Sequence, residues 1–206
     1  MDTSNPSPLA RYHHGALRQA LLEAGLALLE REGPEKLTLR SLATAVGVSH
    51  AAPAHHFSTL TGLRTALAAI GYQRFGAAMR DECLDAPDPE ARMRAASRGY
   101  LAFALSQPGL FRLMFTKELL DWTHPDLAGQ AAAARAQLST ICAPAAERLR
   151  LDAAARRALE HLVWATVHGQ AQLAIDGQLG PAHAPADLPG PGSGCPDIAT
   201  LLFRMA

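Results

Sequence analysis

The sequence predicts an all-α protein, because its composition and its periodicity both favour helices. The 206 residues are rich in Ala, Leu and Arg and have few β-branched runs. Apolar residues recur at spacings of three and four over most of the chain, as on one face of an amphipathic helix. Pro and Gly residues divide this pattern into separate helices. We expect a small N-terminal three-helix domain and a larger C-terminal helical bundle.

The first helix is predicted over residues 14–31, where Leu17, Leu21 and Leu28 lie on one face. The most informative stretch follows it at residues 38–57, TLRSLATAVGVSHAAPAHHF. Its first part repeats apolar residues at i, i+3, i+4 and i+7, namely Leu39, Leu42, Ala43 and Val46. Gly47 then favours a helix end, and Ser49 is a good N-cap for a second helix. This is the layout of a helix-turn-helix, which sets its second helix in the major groove of DNA.

The second helix of this motif is predicted over about residues 49–56 as a recognition helix. Its side chains should contact bases and phosphates, and Pro53 must lie in its first turn, so we expect a short or irregular start. The residues predicted to bind DNA are Thr38, Arg40, Ser49, His50, Ala51, Ala52, Ala54, His55 and His56. The alternative interpretation of the stretch is a three-helix core that does not bind DNA.

The remaining helices follow from apolar periodicity and from the Pro positions. A Pro- and Asp-rich break at 85–90 marks a domain boundary, Pro144 should kink or divide one long helix, and residues 177–196 are predicted to form a flexible loop. Helices are predicted over residues 61–81, 90–106, a short segment from Pro108, 125–151, 152–175 with Asp152 as cap, and 196–205. The chain thus divides into a disordered tail (1–11), a helix-turn-helix domain (12–80) and a C-terminal helical domain (88–206).

Charge and cysteine content narrow the class of protein. Residues 9–80 hold eight Lys and Arg against four Asp and Glu, a balance of +4, while residues 81–206 hold eleven against fourteen, a balance of −3. A basic N-terminal part is compatible with a DNA-facing domain. Three scattered cysteines, Cys83, Cys142 and Cys195, form no CxxC pair and argue against disulfides and structural zinc. With no signal peptide and no apolar run of membrane-spanning length, we expect a cytoplasmic protein without metal or cofactor.

Three segments resemble a known family. YHHGALRQALLEAGLALLEREG at 12–33 and LTLRSLATAVGVSHAAPAHHF at 37–57 are similar to the DNA-binding domain of the TetR family of bacterial transcription regulators. VWATVHGQAQL at 163–173 resembles a Trp-His-Gly signature in the C-terminal domain of one subgroup. The resemblance implies a homodimer that binds a near-palindromic double-stranded DNA operator. It also implies that a small-molecule effector in the C-terminal domain releases the DNA.

The chain departs from the family pattern at two positions. Members usually carry Tyr within the recognition helix, and many carry Lys just after it, whereas this chain has Ala54 and Leu60. Each change removes a phosphate contact, which should weaken binding and lower its salt dependence by roughly one unit. Two outcomes stay open, namely a modest affinity for DNA and compensation by Arg11, Arg40 and the histidines.

Aromatic and Met residues of the C-terminal part have two candidate roles. Core packing is the default at helical spacing, yet an apolar cavity among these helices is where an effector would bind. Trp164 and His168 share a helix face, and for them we favour a core Trp beside a hydrogen-bonded His. No charge is stranded among these residues, which favours an apolar or aromatic ligand. The predicted pocket residues are Phe103, Leu110, Phe111, Met114, Phe115, Trp122, Trp164 and His168.

Three hypotheses result. The first is a dimeric, ligand-responsive regulator, most often a repressor, with a dimer seam that family analogy assigns to residues 159–175 and 198–203. The second is a ligand- or partner-binding helical protein of the same fold with weak or lost DNA binding. The third, an enzyme, is disfavoured because the chain has no nucleophile elbow, HExxH motif, phosphate loop or paired carboxylates, so no catalytic residue is assigned.

Overall fold

A computed structural model describes residues 8–179 and 197–204, and within these ranges the chain forms helices and turns without a β-strand. The predicted all-α fold class is confirmed. Two 3-10 turns, Ala52–His55 and Lys117–Leu119, stand between α-helices. In chain order the α-helices are α1 (Pro8–Glu32), α2 (Leu39–Val46), α3 (Leu60–Glu82), α4 (Pro89–Ser106), α5 (Pro108–Phe115), α6 (Pro125–Arg148), α7 (Ala153–Ile175) and α8 (Ile198–Arg204).

The N-terminal helices α1, α2 and α3 share a leucine core. Leu21 of α1, Leu42 of α2, and Leu63 and Leu67 of α3 have no exposed surface. Burial of a leucine side chain stabilises a fold by roughly 1.5–3 kcal/mol, so four such residues hold these three segments together. This packing leaves the stretch between α2 and α3 at the surface.

Helix α3 belongs to both halves of the molecule. Its 23 residues contact α1 and also pack along α4, α5 and α6, which form the body together with α7. Where α4 crosses α3, a Cβ on Gly99 would overlap the backbone of Ala78 and Met79. A glycine at this position permits the two helices to approach backbone to backbone. A continuous helix therefore connects the N-terminal helices to the body.

The body has an aromatic core. The ring of Phe75 meets that of Tyr100 edge to face with centroids 4.7 Å apart, and Tyr100 meets Phe111 at 5.9 Å. Phe103 lies 5.5 Å from Phe75 in the same arrangement. Such pairs set the positive edge of one ring on the negative face of the next, which fixes the rings relative to one another.

Proline and aspartate positions in the sequence predicted several helix ends, but the helix break expected at Pro144 does not occur. Asp152 caps α7 as expected, because its carboxylate accepts a hydrogen bond from the N–H of Ala155 at 2.8 Å. Pro144 does not divide the long helix, since α6 continues through it. A single Pro removes one backbone hydrogen bond, and the buried neighbours Ala145 and Ala146 keep that part of α6 in the core.

The two ends of the chain and the late loop are described only in part. The tail predicted over 1–11 overlaps α1, which begins at Pro8, and its first seven residues lie outside the described ones. Of the loop predicted over 177–196, only 177–179 are described, and these form a turn. The last helix, predicted over 196–205, is α8.

Candidate nucleic-acid interface and ligand cavity

Both ends of α2 are held by hydrogen bonds. At its start the hydroxyl of Thr38 accepts from the N–H of Ser41 at 2.9 Å, and the hydroxyl of Ser41 accepts from the N–H of Thr38 at 3.0 Å. At its end Gly47 has the predicted positive φ, 75°, and the N–H of Val48 donates to the carbonyl of Ala43 at 3.0 Å. Thr38, which was predicted to bind DNA, thus also caps α2.

The segment predicted to be a recognition helix, residues 49–56, does not form an α-helix, and that prediction was wrong. Only the 3-10 turn Ala52–His55 lies within it, so Ser49 does not cap an α-helix. The reason is Pro53, whose nitrogen carries no hydrogen and leaves the carbonyl of Ser49 without its usual donor. That carbonyl accepts from the N–H of Ala52 instead, at 3.0 Å, which tightens the backbone.

We call residues 49–56 the exposed turn. Ser49, His50, Ala51, Ala54 and His55 face solvent, as does Arg40 on α2, while Ala52 and His56 are half-buried. Beneath the turn, Pro53 and Phe57 are buried, and the guanidinium of Arg18 lies over the Phe57 ring at 5.3 Å. The turn is therefore fixed from below and presents small side chains and imidazoles outward.

Ala54 and Leu60 add no polar group to this surface. Ala54 is exposed but ends in a methyl group. Leu60 is the first residue of α3 and packs partly against the core. At these two positions the side chains can neither donate a hydrogen bond to a phosphate nor place a positive charge beside one.

An apolar cavity of about 270 Å³ lies in the body, walled by α3, α4, α6, α7 and the end of α5. This volume lies just below the usual range for small-molecule sites, about 300–1,000 Å³. Flexible methionine side chains let such a wall adapt to the shape of a ligand. Its ring and methionine side chains are Tyr72, Phe75, Tyr100, Phe115, Trp122, Trp164, Met79, Met93 and Met114.

The cavity includes four of the eight predicted pocket residues, namely Met114, Phe115, Trp122 and Trp164. The other four stand outside its wall. Phe103, Leu110 and Phe111 are buried in the core around it. His168 is half-buried beside Trp164 and Phe115.

The sequence analysis did not predict the charged residues that line the cavity. Lys117, Arg135, Glu160 and His161 also line it, although no charge lies among the predicted pocket residues themselves. Arg135 interrupts a run of alanines in α6, and a lone cation in such a run is a signal that could have indicated it. Lys117 lies in a short 3-10 turn, where sequence periodicity does not indicate which way its side chain points.

Tyr100 and His168 form a hydrogen-bonded pair inside the body. The Tyr100 hydroxyl and His168 Nδ1 are 2.8 Å apart, and the His168 ring stacks on Phe111 at 5.4 Å. Burial raises the pKa of Tyr100, which the indole of Trp164 offsets only in part, and burial lowers the pKa of His168. Both side chains are thereby favoured in their neutral forms.

Tyr72 connects the cavity wall to α5. Its hydroxyl donates to the carbonyl of Met114 at 3.3 Å. Burial raises the pKa of Tyr72 to about 12, and the positive charge of Arg135 opposes that rise. The charge of Arg135 is thus felt at a hydroxyl of the cavity wall.

Helix α7 leaves an apolar face uncovered in the single chain. Leu162 is 55 % and Leu173 41 % exposed, and Ala158 and Ala165 are exposed at helical spacing on the same side. A Cβ on Gly169 would meet open space. These residues form a stripe of small and apolar side chains along the helix, which we call the α7 stripe.

Arg94 fastens α8 to α4. Its Nε donates to Asp197 at 2.7 Å, and its Nη2 donates to Glu90 at 2.7 Å and to Thr200 at 3.2 Å. Although burial raises it, the hydrogen bonds from Arg94 and Thr200 hold the pKa of Asp197 below its ordinary value. This network keeps Leu201 of α8, which is 40 % exposed, at the surface of the body.

Membrane spans and metal clusters are both absent from the described ranges. Across 8–179 and 197–204, no helix combines the length and the hydropathy that crossing a membrane requires. Over the same ranges no three His, Cys, Asp or Glu side chains come together in a way that could hold a metal ion.

Comparison with known proteins points to one family in both halves of the chain. A family model described as "Bacterial regulatory proteins, tetR family" matches residues 21–67. A second, described as "Tetracyclin repressor-like, C-terminal domain", matches residues 93–188. No curated protein is significantly similar to the chain.

Solved structures share the fold. A protein of unknown function from Rhodococcus sp. RHA1 is 33 % identical, with a TM-score of 0.71 over 88 % of this chain and 92 % of that one. The TetR family transcriptional regulator PfmR from Thermus thermophilus is 21 % identical, with a TM-score of 0.55 over 79 % and 95 %. A TetR family transcription regulator from Marinobacter aquaeolei VT8 is 20 % identical, with a TM-score of 0.61 over 82 % and 88 %.

Proposed function

The chain belongs to the TetR family of bacterial regulatory proteins, and from this premise we propose that it is a dimeric transcriptional repressor released from DNA by a small apolar or aromatic effector. The main support for DNA binding in this proposal is the exposed turn. It follows a helix capped at both ends, it rests on buried Pro53 and Phe57, and it turns His50 and His55 to solvent.

The exposed turn would enter the major groove of the operator. Ala51 and Ala54 are small enough for close approach to thymine methyl groups, and His50 and His55 can hydrogen-bond to base edges or phosphates. The hydroxyl of Thr38 and the side chain of Arg40, at the start of α2, would contact the backbone. Two exposed turns in a dimer must reach successive grooves, about 34–36 Å apart or a multiple of this.

The cavity in the body would be the effector site. Its wall is formed by α3, which also packs in the N-terminal half, and by α5, which contacts α1. A ligand that binds better to one arrangement of these helices shifts the population toward that arrangement. A small rotation of the N-terminal helices would then break the spacing of the two exposed turns.

The α7 stripe, with Leu201 of α8, would form the dimer seam. Two helices from each subunit would pair as a four-helix bundle. Exposed leucines are otherwise common on surfaces, but a stripe along a single helix face fits a self-complementary contact.

A second candidate function keeps the ligand site and gives up strong DNA binding. It is favoured by Ala54 and Leu60, which offer no phosphate contact, and by the 3-10 geometry of the exposed turn. An enzyme is the least favoured interpretation, because the sequence has no nucleophile elbow, HExxH motif, phosphate loop or paired carboxylates. The protein would act without a cofactor, in the cytoplasm.

Fluorescence anisotropy on DNA from immediately upstream of the chain's own gene tests this proposal. A scrambled duplex and two salt concentrations separate specific from electrostatic binding. We expect tight, sequence-dependent binding that weakens with salt, and a loss of about tenfold on replacing His50 and His55 with Ala. His124→Ala, at an exposed residue before α6, is the matched control and should leave binding unchanged. Equal, weak binding to both duplexes would favour the second candidate.

A further inference from the structure

The cavity wall combines rings and methionines with two unpaired cations. Lys117 and Arg135 both line the cavity, and both are exposed at its edge. Neither forms an ion pair with a carboxylate within the described residues. We call these two side chains the cationic pair.

Acidic groups nearby offset the charge of the cationic pair only in part. Glu160 lines the cavity, and its Oε1 is engaged by the Ser139 hydroxyl of α6 at 2.6 Å. Asp121 does not line the cavity, and its carboxylate accepts from the Thr123 hydroxyl. Glu118, the neighbour of Lys117 in sequence, is exposed and likewise outside the wall. The charge that lines the cavity is therefore positive in sum, before any contribution from His161.

The field of Arg135 extends into the apolar space. Arg135 acts on the Tyr72 hydroxyl, where its charge opposes the rise in pKa that burial causes. Charges interact more strongly beside a low-dielectric wall than in open water, and a lined cleft concentrates ions of the opposite sign. An anion that entered the cavity would be attracted, and a cation repelled.

Aromatic walls can also bind cations, but here Tyr72, at the centre of the ring cluster, is packed against three other rings. Tyr72 meets Phe75, Phe115 and Trp122 edge to face, with centroids 6.5, 5.9 and 6.1 Å apart. A cation cage needs open ring faces that converge on one point. Rings that pack on one another in this way offer an apolar surface instead.

We propose that the effector is an amphipathic anion, with a compact apolar or aromatic body and a carboxylate or similar acidic group. The body fills the space between the rings and methionines, and the acidic group lies against Lys117 and Arg135. This inference rests on the proposed function, because it takes the same cavity as the effector site.

Three probes with the same eight-carbon body test the charge preference: octanoate, 1-octanol and octylammonium. The two tryptophans of the chain, Trp122 and Trp164, both line the cavity, so their fluorescence reports binding directly. At neutral pH and fixed salt, we expect octanoate to bind about three- to tenfold more tightly than octanol, and octylammonium to bind most weakly. Equal affinities for the three probes would overturn the inference.

Charge-neutral variants test whether Lys117 and Arg135 cause the preference for an anion. Replacing Lys117 and Arg135 together with Gln should remove the advantage of octanoate and leave the affinity for octanol unchanged. Arg157→Gln, an exposed arginine of α7 outside the cavity wall, is the matched control for loss of a positive charge. An advantage that persists in the double variant would refute the role of the cationic pair. Failure of all three probes to bind would refute both this inference and the effector site, whereas operator binding is measured separately.

Discussion

The carboxylate of Glu30, near the end of α1, accepts a hydrogen bond from the backbone N–H of Gly109, at the start of α5, at 2.9 Å. Its other oxygen accepts from the N–H of Leu110, also at 2.9 Å. The first turn of a helix has unsatisfied N–H groups and a partial positive charge, so a carboxylate from another helix is well placed there. The same short helix ends at Phe115, in the cavity wall. α5 therefore connects the cavity to the N-terminal half through the hydrogen bonds that Glu30 accepts.

Glu30→Ala should destabilise the protein by about 1–2 kcal/mol, because it leaves two helix-end amides without their acceptor. Glu30→Gln should lie between the wild type and Glu30→Ala, since it keeps one oxygen acceptor but loses the charge. Urea denaturation measures both. Glu23→Ala is the control: on the same helix, the exposed Glu23 carboxylate accepts from the Gln19 amide, so its loss should change the unfolding free energy little. Equal effects at positions 23 and 30 would show that the contact contributes nothing.

Gly109→Ala should also destabilise, by about 1–3 kcal/mol, although Ala is ordinarily the better helix former. A Cβ at this position would overlap the backbone carbonyl of Leu29, which cannot move aside as a side chain can. Gly129→Ala in α6, where a Cβ meets open space, should stabilise instead, by up to about 1 kcal/mol. Thermal and urea denaturation measure the stability of both variants. A gain in stability at both positions would mean that α1 and α5 are not in close contact.

Local chemistry in the sequence was enough to predict most helices, because caps and prolines act within a few residues. Asp152 starts α7 and Pro108 starts α5 for reasons visible in the chain. Pro53 shows the limit of this reasoning. Its disturbance was expected only at the start of a helix, yet 3-10 hydrogen bonds replace α-helical ones up to His55, whereas α6 continues through Pro144.

The cavity was harder to predict than the helices. Phe111 and Phe115 lie one helical turn apart on α5, yet Phe111 is fully buried in the core and Phe115 lines the cavity. Which ring fills the core and which borders empty space depends on where α6 and α7 pass, and these contacts are distant in sequence. For the same reason Arg135, on α6, could not be paired with Tyr72 from spacing alone.

His168 should make the stability of the protein depend on pH. Burial lowers its pKa, so the unfolded chain binds a proton more readily than the folded one between the lowered value and the ordinary value of about 6.5. The free energy of unfolding should therefore fall as pH decreases below about 6.5, and level off below the folded-state pKa. His168→Gln keeps a polar partner for Tyr100 without titrating. The difference between wild type and variant should shrink or change sign as pH falls, and a difference independent of pH would refute this role.

The α7 stripe should control assembly. In the proposed dimer Leu162, 55 % exposed in the single chain, is covered by the partner, so Leu162→Glu would bury a charge without a counter-ion. We expect this variant to elute as a monomer in size-exclusion chromatography with light scattering, at a concentration where the wild type has twice the chain mass. Leu84→Glu is the matched control, because Leu84 is 78 % exposed in the connection between α3 and α4. A monomeric Leu162→Glu variant should also bind a full operator no better than a half-operator, since two linked exposed turns are needed for the gain in affinity. A Leu162→Glu variant that stays dimeric would show that the dimer seam lies on another surface.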